Sequence, residues 1–364
     1  MRKMYKKIII IFLSVLCSVN LVFAKCSNAG IESVIASEDV INYAKEVSKQ
    51  HFYTIKDDFG SFGFKNTNPY SYKLGGYFTI YNYIDDSVIY EFAILSNDEI
   101  VGFLEVTDIE GELCSIMSKS FAEEMNKLFI ELKYTYELIS NGNQIYAVSN
   151  NDKILVYSQS EIINDEFDIK YGERYSNNMF VQTLENIKIN ATFLCELSIN
   201  RGSTSSPLSY KTLNVSPVRQ YKDTCWAATC AAIINYKKGL NLTYYDVSSF
   251  IHPNNPYTAG TVGECCTAYF HWNITTTTHN KISFSSIKTE INNFRPMHLY
   301  LYKDAIYGHM VSLIGYEDWE DRDIVILLEP NDGLRKTVTL TSSGGFNYIL
   351  GANTYTWART IKIS

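Results

Sequence analysis

Between Gln220 and Gly239 the chain writes a helix with both ends marked and a thiol at its first turn. The run Cys225 to Lys238 (CWAATCAAIINYKK) carries Trp, Ala and Ile at helical spacings, ends in two lysines and meets Gly239, where a left-handed C-terminal cap belongs. Asp223 or Thr224 supplies the N-cap. A cysteine in this place meets the positive end of the helix macrodipole and unpaired backbone N–H groups, and both favour a thiolate. The ordinary reading of a cysteine in an apolar helix is a small buried hydrophobe. Residues elsewhere in the chain argue for a nucleophile instead.

Gln220 lies five residues ahead of Cys225, where its amide can aim N–H groups at an oxyanion beside the backbone N–H of Cys225. Further on, Gly308-His309-Met310-Val311-Ser312-Leu313-Ile314-Gly315-Tyr316 puts a histidine at the mouth of an apolar strand. A second apolar strand, Ile324 to Leu328, runs into Glu329-Pro330-Asn331-Asp332-Gly333. Cysteine, then histidine, then an acid or amide is the order of a thiol triad. If the two strands form a hairpin, the end opposite its loop brings His309 near Glu329 or Asn331. An acceptor there fixes the imidazole tautomer and turns the other nitrogen toward Cys225. His51, His252, His271, His279 and His298 lack such a context and read as packed or solvent-facing. Trp319 and the acids around it, Glu317, Asp318, Glu320, Asp321 and Asp323, read as the solvated rim of the hairpin loop.

From about Asn214 to the C-terminus these motifs resemble a bacterial papain-like cysteine peptidase, of the group that includes secreted staphopain-like enzymes, plant-pathogen effector proteases and bacteriocin-leader peptidases. The resemblance implies Gln220 as the oxyanion glutamine, Cys225 of CWAA as nucleophile and His309 as general base. Where the family commonly shows Asp-Pro or Asn-Pro, this chain has Glu329-Pro330. Glu329 therefore takes the third position, with Asn331 as the alternative. Protein or peptide substrates are implied, and no cofactor or metal.

The 364 residues suffice for two domains, and 46% hydrophobic with 20% charged residues is globular composition. Residues 1–24 join a basic leader (Arg2, Lys3, Lys6, Lys7) to an apolar core and end in Val22-Phe23-Ala24, which reads as a secretory signal peptide. An uncleaved anchor is the weaker reading, because Ser14, Ser18 and Asn20 interrupt the apolar run; it would retain the chain at the cell envelope. No later segment is long and apolar enough for membrane insertion. Of eight cysteines Cys17 leaves with the signal, so an odd seven are exported and one stays free or pairs outside the chain. A bridge from Cys230 to Cys265 or Cys266 stays open. Zinc on Cys265, Cys266 and His271 is disfavoured, because adjacent cysteines do not readily chelate one ion together. Nothing in charge or motif supports nucleic-acid binding.

Residues 25–206 hold no catalytic motif. Ser37 caps a first helix to Phe52; alternating stretches 76–83, 87–96 and 99–106 follow, then a helix over 120–132 and a hairpin of 144–149 with 153–157. This segment carries 14 Lys+Arg against 27 Asp+Glu, whereas 207–364 carries 14 against 12. The acidic α+β segment, joined through the polar stretch from Asn200 to Pro207, reads as a pro-region acting as an intramolecular inhibitor. Downstream of the Cys225 helix, short helices are expected over 243–251, 261–269 and 285–294, the last capped by Ser285 or Ser286. Strands 297–302, 311–316, 324–328, 336–340 and 355–363 complete an α+β catalytic domain with helices packed on an antiparallel sheet. The leading expectation is a secreted cysteine endopeptidase made as a zymogen. A thiol acyltransferase or amidase on the same fold and a non-catalytic exported adhesion or binding protein are the alternatives.

Overall fold

The computed structural model describes residues 31–32, 36–84, 87–97, 99–109, 111–131, 136–148, 153–158, 195–197, 206–303, 308–351 and 353–364. The leader 1–24, Cys17 and Cys26, the Asp85-Asp86 turn and residues 201–205 of the linker lie outside the described residues.

A two-residue strand, β1 (Ile31–Glu32), precedes α1 (Glu38–Ile55). Ser37 Oγ accepts the Val40 N–H at 3.3 Å, and Glu38 and Asp39 complement the dipole in the first turn. Val40, Ala44, Val47 and Ile55 recur at helical spacing on its buried face. An antiparallel meander follows: β2 (Tyr72–Asn82), β3 (Ser87–Ser96), β4 (Glu99–Ile109) and β5 (Glu112–Ser118). Then come α2 (Ala122–Glu131), β6 (Tyr136–Ser140), β7 (Gln144–Val148), β8 (Lys153–Ser158) and β9 (Cys195–Glu196), with β6 parallel to β2.

After β10 (Ser209–Thr212) come α3 (Cys225–Lys238), α4 (Tyr244–Ile251) and α5 (Val262–His271). Thr243 and Thr261 each close a capping box, with Asp246 and Glu264 respectively. β11 (Thr276–Asn280) leads to α6 (Phe284–Asn292), which is capped by Ser283 and not by Ser285 or Ser286 as the sequence suggested. The chain closes with β12 (Met297–Tyr302), β13 (Gly308–Asp318), β14 (Asp323–Leu328), β15 (Arg335–Thr339), β16 (Asn347–Leu350) and β17 (Asn353–Ile363). These strands pair antiparallel in the order β15, β14, β13, β12, β17, and β17 also takes β11 and β16.

β5 is a strand the sequence reading did not anticipate, and it joins the two halves. Thr337 and Val338 of β15 pair with Met117 and Ile116, so both halves share one sheet. One apolar core accordingly contains Phe52, Phe92 and Phe103 together with Leu299, Val325 and Trp357. Polar bonds seal the seam. His51 Nδ1 lies 2.7 Å from Thr337 Oγ1 and its Nε2 2.8 Å from Ser115 Oγ; Tyr43 OH lies 3.1 Å from Thr339 Oγ1; Gln50 Nε2 donates to Asp321 at 2.9 Å. Arg335 reaches Asp58 at 2.9 Å. The hairpin loop belongs to this seam: Glu320 and Asp321 stay exposed, as a solvated rim would be, Asp318 and Asp323 are half-buried, and Glu317 and Trp319 are buried. Trp319 is buried against the edge of Tyr53, and its Nε1 donates to the buried Glu317 at 2.9 Å.

A second core, with Trp226, Ile233, Ile234, Val247, Tyr269, Met310 and Ile361, lies where α3, α4 and α5 cover the sheet. The first turn of α3 and the first residues of β13 meet above it.

Candidate active site

Cys225 is the first residue of α3, half-buried. Thr224 stands at the N-cap position, but its hydroxyl donates back to the Tyr221 carbonyl at 2.8 Å and accepts the Tyr221 N–H at 3.1 Å. No side chain caps the helix, so the first-turn N–H groups keep their pull on an anion. Lys222, with φ of 53°, provides the left-handed turn that feeds the helix. Trp226 anchors this end, fully buried, with Nε1 donating to the Thr258 carbonyl at 3.0 Å.

His309 is the second residue of β13, paired with Leu301 of β12. A Cβ on Gly308 would come within 2.5 Å of the Tyr300 ring, so the residue before the histidine must be the smallest one. The buried imidazole presents Nε2 to both carboxylate oxygens of Glu329 at 2.9 Å and also hydrogen-bonds Cys225. Nδ1 is thus the nitrogen left for the thiol. Burial alone would lower the His309 pKa, but the Glu329 charge and the bond to Cys225 outweigh it and push the value up to about 10.

Glu329 follows β14 and is fully buried. Burial alone would raise its pKa. The charge and hydrogen bond of His309 dominate, aided by Lys336 and Tyr348, and hold it at about 2. Its acceptor sites are well filled: the Asn331 N–H donates to Oε1 at 2.8 Å, and the buried Tyr348 hydroxyl donates to Oε2. Burial and the adjacent carboxylate push the Tyr348 hydroxyl well above its usual range, so it stays a donor. Its ring stacks on His309 with centroids 6.0 Å apart. Asn331 thus serves this carboxylate through its backbone, while Glu329 occupies the place beside the imidazole.

Gln220 is tied to the same end of the sheet, because its backbone N–H donates to the Pro330 carbonyl at 2.8 Å. Its Nε2 donates to the Lys222 carbonyl at 2.9 Å, while Oε1 is buried without a hydrogen-bond partner. An amide nitrogen has a second N–H to offer. The four residues singled out in the sequence therefore assemble around one end of α3. Tyr348 was missed, and nothing in its local sequence marks it, since any buried tyrosine on a late strand reads alike. Thr229, whose hydroxyl donates to the Met310 carbonyl at 3.1 Å, was missed for the same reason.

No family model and no curated protein matches the chain. Among solved structures, it is similar to a protein described as a C39-like peptidase from Bacillus anthracis, with 13% identity and a TM-score of 0.29 over 43% of this chain and 98% of that one. The peptidase domain of Streptococcus ComA, a bifunctional ABC transporter of a quorum-sensing pathway, aligns at 12% identity and a TM-score of 0.28, covering 42% and 98%. A structure from work on the mite allergens Blo t 1 and Der p 1 aligns at 15% and 0.28, covering 55% and 95%.

Proposed function

We propose that this chain is a secreted papain-like cysteine endopeptidase made as a zymogen. The observation that carries the reading is His309 standing between Cys225 and a fully buried Glu329 at an uncapped helix start. In peptide hydrolysis the Cys225 sulfur forms a bond to the scissile carbonyl carbon, and the carbonyl π electrons move to oxygen. That oxyanion takes hydrogen bonds from the Cys225 N–H and the Gln220 amide. The His309 imidazolium gives its proton to the leaving amine, the C–N bond breaks, and an acyl-thioester remains. Neutral His309 then takes a proton from water as the water oxygen bonds to the thioester carbon; the C–S bond breaks, the carboxylic acid product leaves, and the Cys225 thiolate and His309 imidazolium are restored. Glu329 holds the imidazole orientation and stabilises its cation.

Residues 25–206 are the pro-region in this reading. Their excess of acids, their position before the catalytic part and the polar stretch around Arg201 support a cut between about Asn200 and Asn214, with full release requiring in addition that the β5–β15 ladder open. The test is incubation of purified full-length and trimmed protein with a thiol-directed active-site probe and a protein substrate. Labelling of Cys225 with substrate cleavage, stronger after trimming, is expected. Labelling without cleavage would favour an acyltransferase, and no labelling a binding protein.

A further inference from the structure

Cys230 lies five residues beyond Cys225, on the far side of α3, facing the second core. There it meets Cys265 of α5 and His298 of β12, and all three are fully buried. Their donor atoms lie within 4.8 Å of one another, with Cys230 Sγ 3.7 Å from His298 Nδ1. Tyr269 Oη is 3.1 Å from the same Nδ1 and also hydrogen-bonds Cys230. On the other side of the ring, His298 Nε2 faces Met310 Sδ at 3.1 Å. Two thiols, an imidazole and a phenol therefore converge in an otherwise apolar core from three elements, with Cys230, Cys265 and His298 each more than thirty residues from the next.

We propose that Cys230, Cys265 and His298 bind one zinc(II) ion, with the Tyr269 phenol in the fourth position. The spacing suits a tetrahedral ion, because metal–sulfur bonds of about 2.3 Å and metal–nitrogen bonds of about 2.05 Å place sulfur and nitrogen about 3.6 Å apart. Thiolate and imidazole donors exclude calcium and magnesium, which need oxygen ligands. Two thiolates cancel a divalent charge, and a neutral unit is what an apolar interior tolerates, which favours a divalent over a monovalent ion; among dications the tetrahedral sulfur–nitrogen set suits zinc. Binding through Nδ1 leaves Nε2–H to donate to Met310 Sδ, which fixes the ring as an outer partner does at metal-bound histidines. Binding displaces two thiol protons to solvent. The ion ties α3 and α5 to the sheet, behind the turn that carries Cys225.

Cys265, Cys266 and His271 do not make up this site, because adjacent helical cysteines point apart: Cys265 is buried and Cys266 only half-buried. The donors gathered by the fold are a different set.

The test is elemental analysis of the full-length protein, purified without a histidine tag. About one zinc per chain is expected, lost in Cys230→Ser and Cys265→Ser and retained in Cys266→Ser and His271→Gln. Because the first two variants bury a hydroxyl and can fail to fold, the wild-type protein is also refolded with cobalt(II). A thiolate-to-cobalt charge-transfer band in the near ultraviolet is then expected. Mass spectrometry after denaturing alkylation decides the alternatives. Metal-free protein with both thiols alkylated, or with a Cys230–Cys265 disulfide, overturns the proposal.

Discussion

The Thr229 hydroxyl donates to the Met310 carbonyl at 3.1 Å, four residues after the candidate nucleophile and one after the candidate base. This buried bond joins the start of the second turn of α3 to the start of β13. It ties the helix that carries Cys225 to the strand that carries His309. Thr229→Val keeps the side-chain shape but leaves a buried carbonyl without its donor, at a cost of about 1–3 kcal/mol. The urea midpoint should fall accordingly. The peptidase kcat should fall by roughly tenfold, since small misplacements of reacting groups are costly. A stable variant with unchanged kcat would show that the tether does not set the site.

Cys225→Ala and His309→Ala should each abolish turnover, and the double variant should be no slower than either single one, because nucleophile and base act as a unit. Substrate cleavage rates with matched thermal melts check this. Retained turnover in Cys225→Ala removes the thiol from the mechanism.

The pH dependence follows from opposite shifts in one pair. His309 is raised, so its contribution is complete below the ordinary histidine range and is lost as pH climbs through about 10. Glu329 is lowered, so its contribution is complete above the ordinary carboxylate range and is lost as pH falls toward about 2. The alkaline limb of kcat/KM should therefore lie well above the usual histidine value. Glu329→Gln removes the carboxylate charge and should bring that limb down by more than one pH unit while reducing the rate less than loss of Cys225 does. Asn331→Ala should leave the limb in place, since Asn331 acts through its N–H. A limb unmoved by Glu329→Gln would separate Glu329 from the imidazole's electrostatics.

Cutting the linker should not by itself separate the halves, because β5 and β15 share a ladder and a common core surrounds it. The nicked protein should co-elute as one species in size-exclusion chromatography. Acid should first tighten this seam. Glu105 is raised by burial to about 7, Glu317 likewise to about 7, and Glu91 is raised well above its ordinary value by burial and by Glu105. Groups raised in the docked state favour it more as pH falls from 7 toward 4.5, the ordinary glutamate value. His51 opposes them: burial lowers it to about 3, so its contribution is lost as pH falls below 6.5. Three carboxyls outweigh one imidazole until about pH 4.5. Below that, His51 and the lowered carboxyl of Asp321, which accepts from Gln50 across the seam, both weaken it. Denaturant midpoints of the nicked complex at pH 7, 5 and 3 should rise and then fall; a steady fall from pH 7 would refute the carboxyl account.

Local sequence determined the helix boundaries and the donor order. Ser37, Thr243 and Gly239 mark helix ends because capping is satisfied within four residues of chain. Gly308 and the apolar run behind His309 set the strand, and the hairpin geometry brought Glu329 to the imidazole, because both signals are read along a single pair of strands. Tertiary structure alone decided what depends on residues far apart. β5 pairs with β4 in its own half; its second partner, β15, comes from the other half, and that ladder turns Trp319 and Glu317 from an apparent solvent rim into a buried seam. Tyr348 reaches Glu329 from nineteen residues downstream, and Cys230, Cys265 and His298 meet across three elements. Such encounters leave no periodicity or spacing in the chain, since they are fixed by how the helices and strands pack against one another and not by any local preference of the backbone.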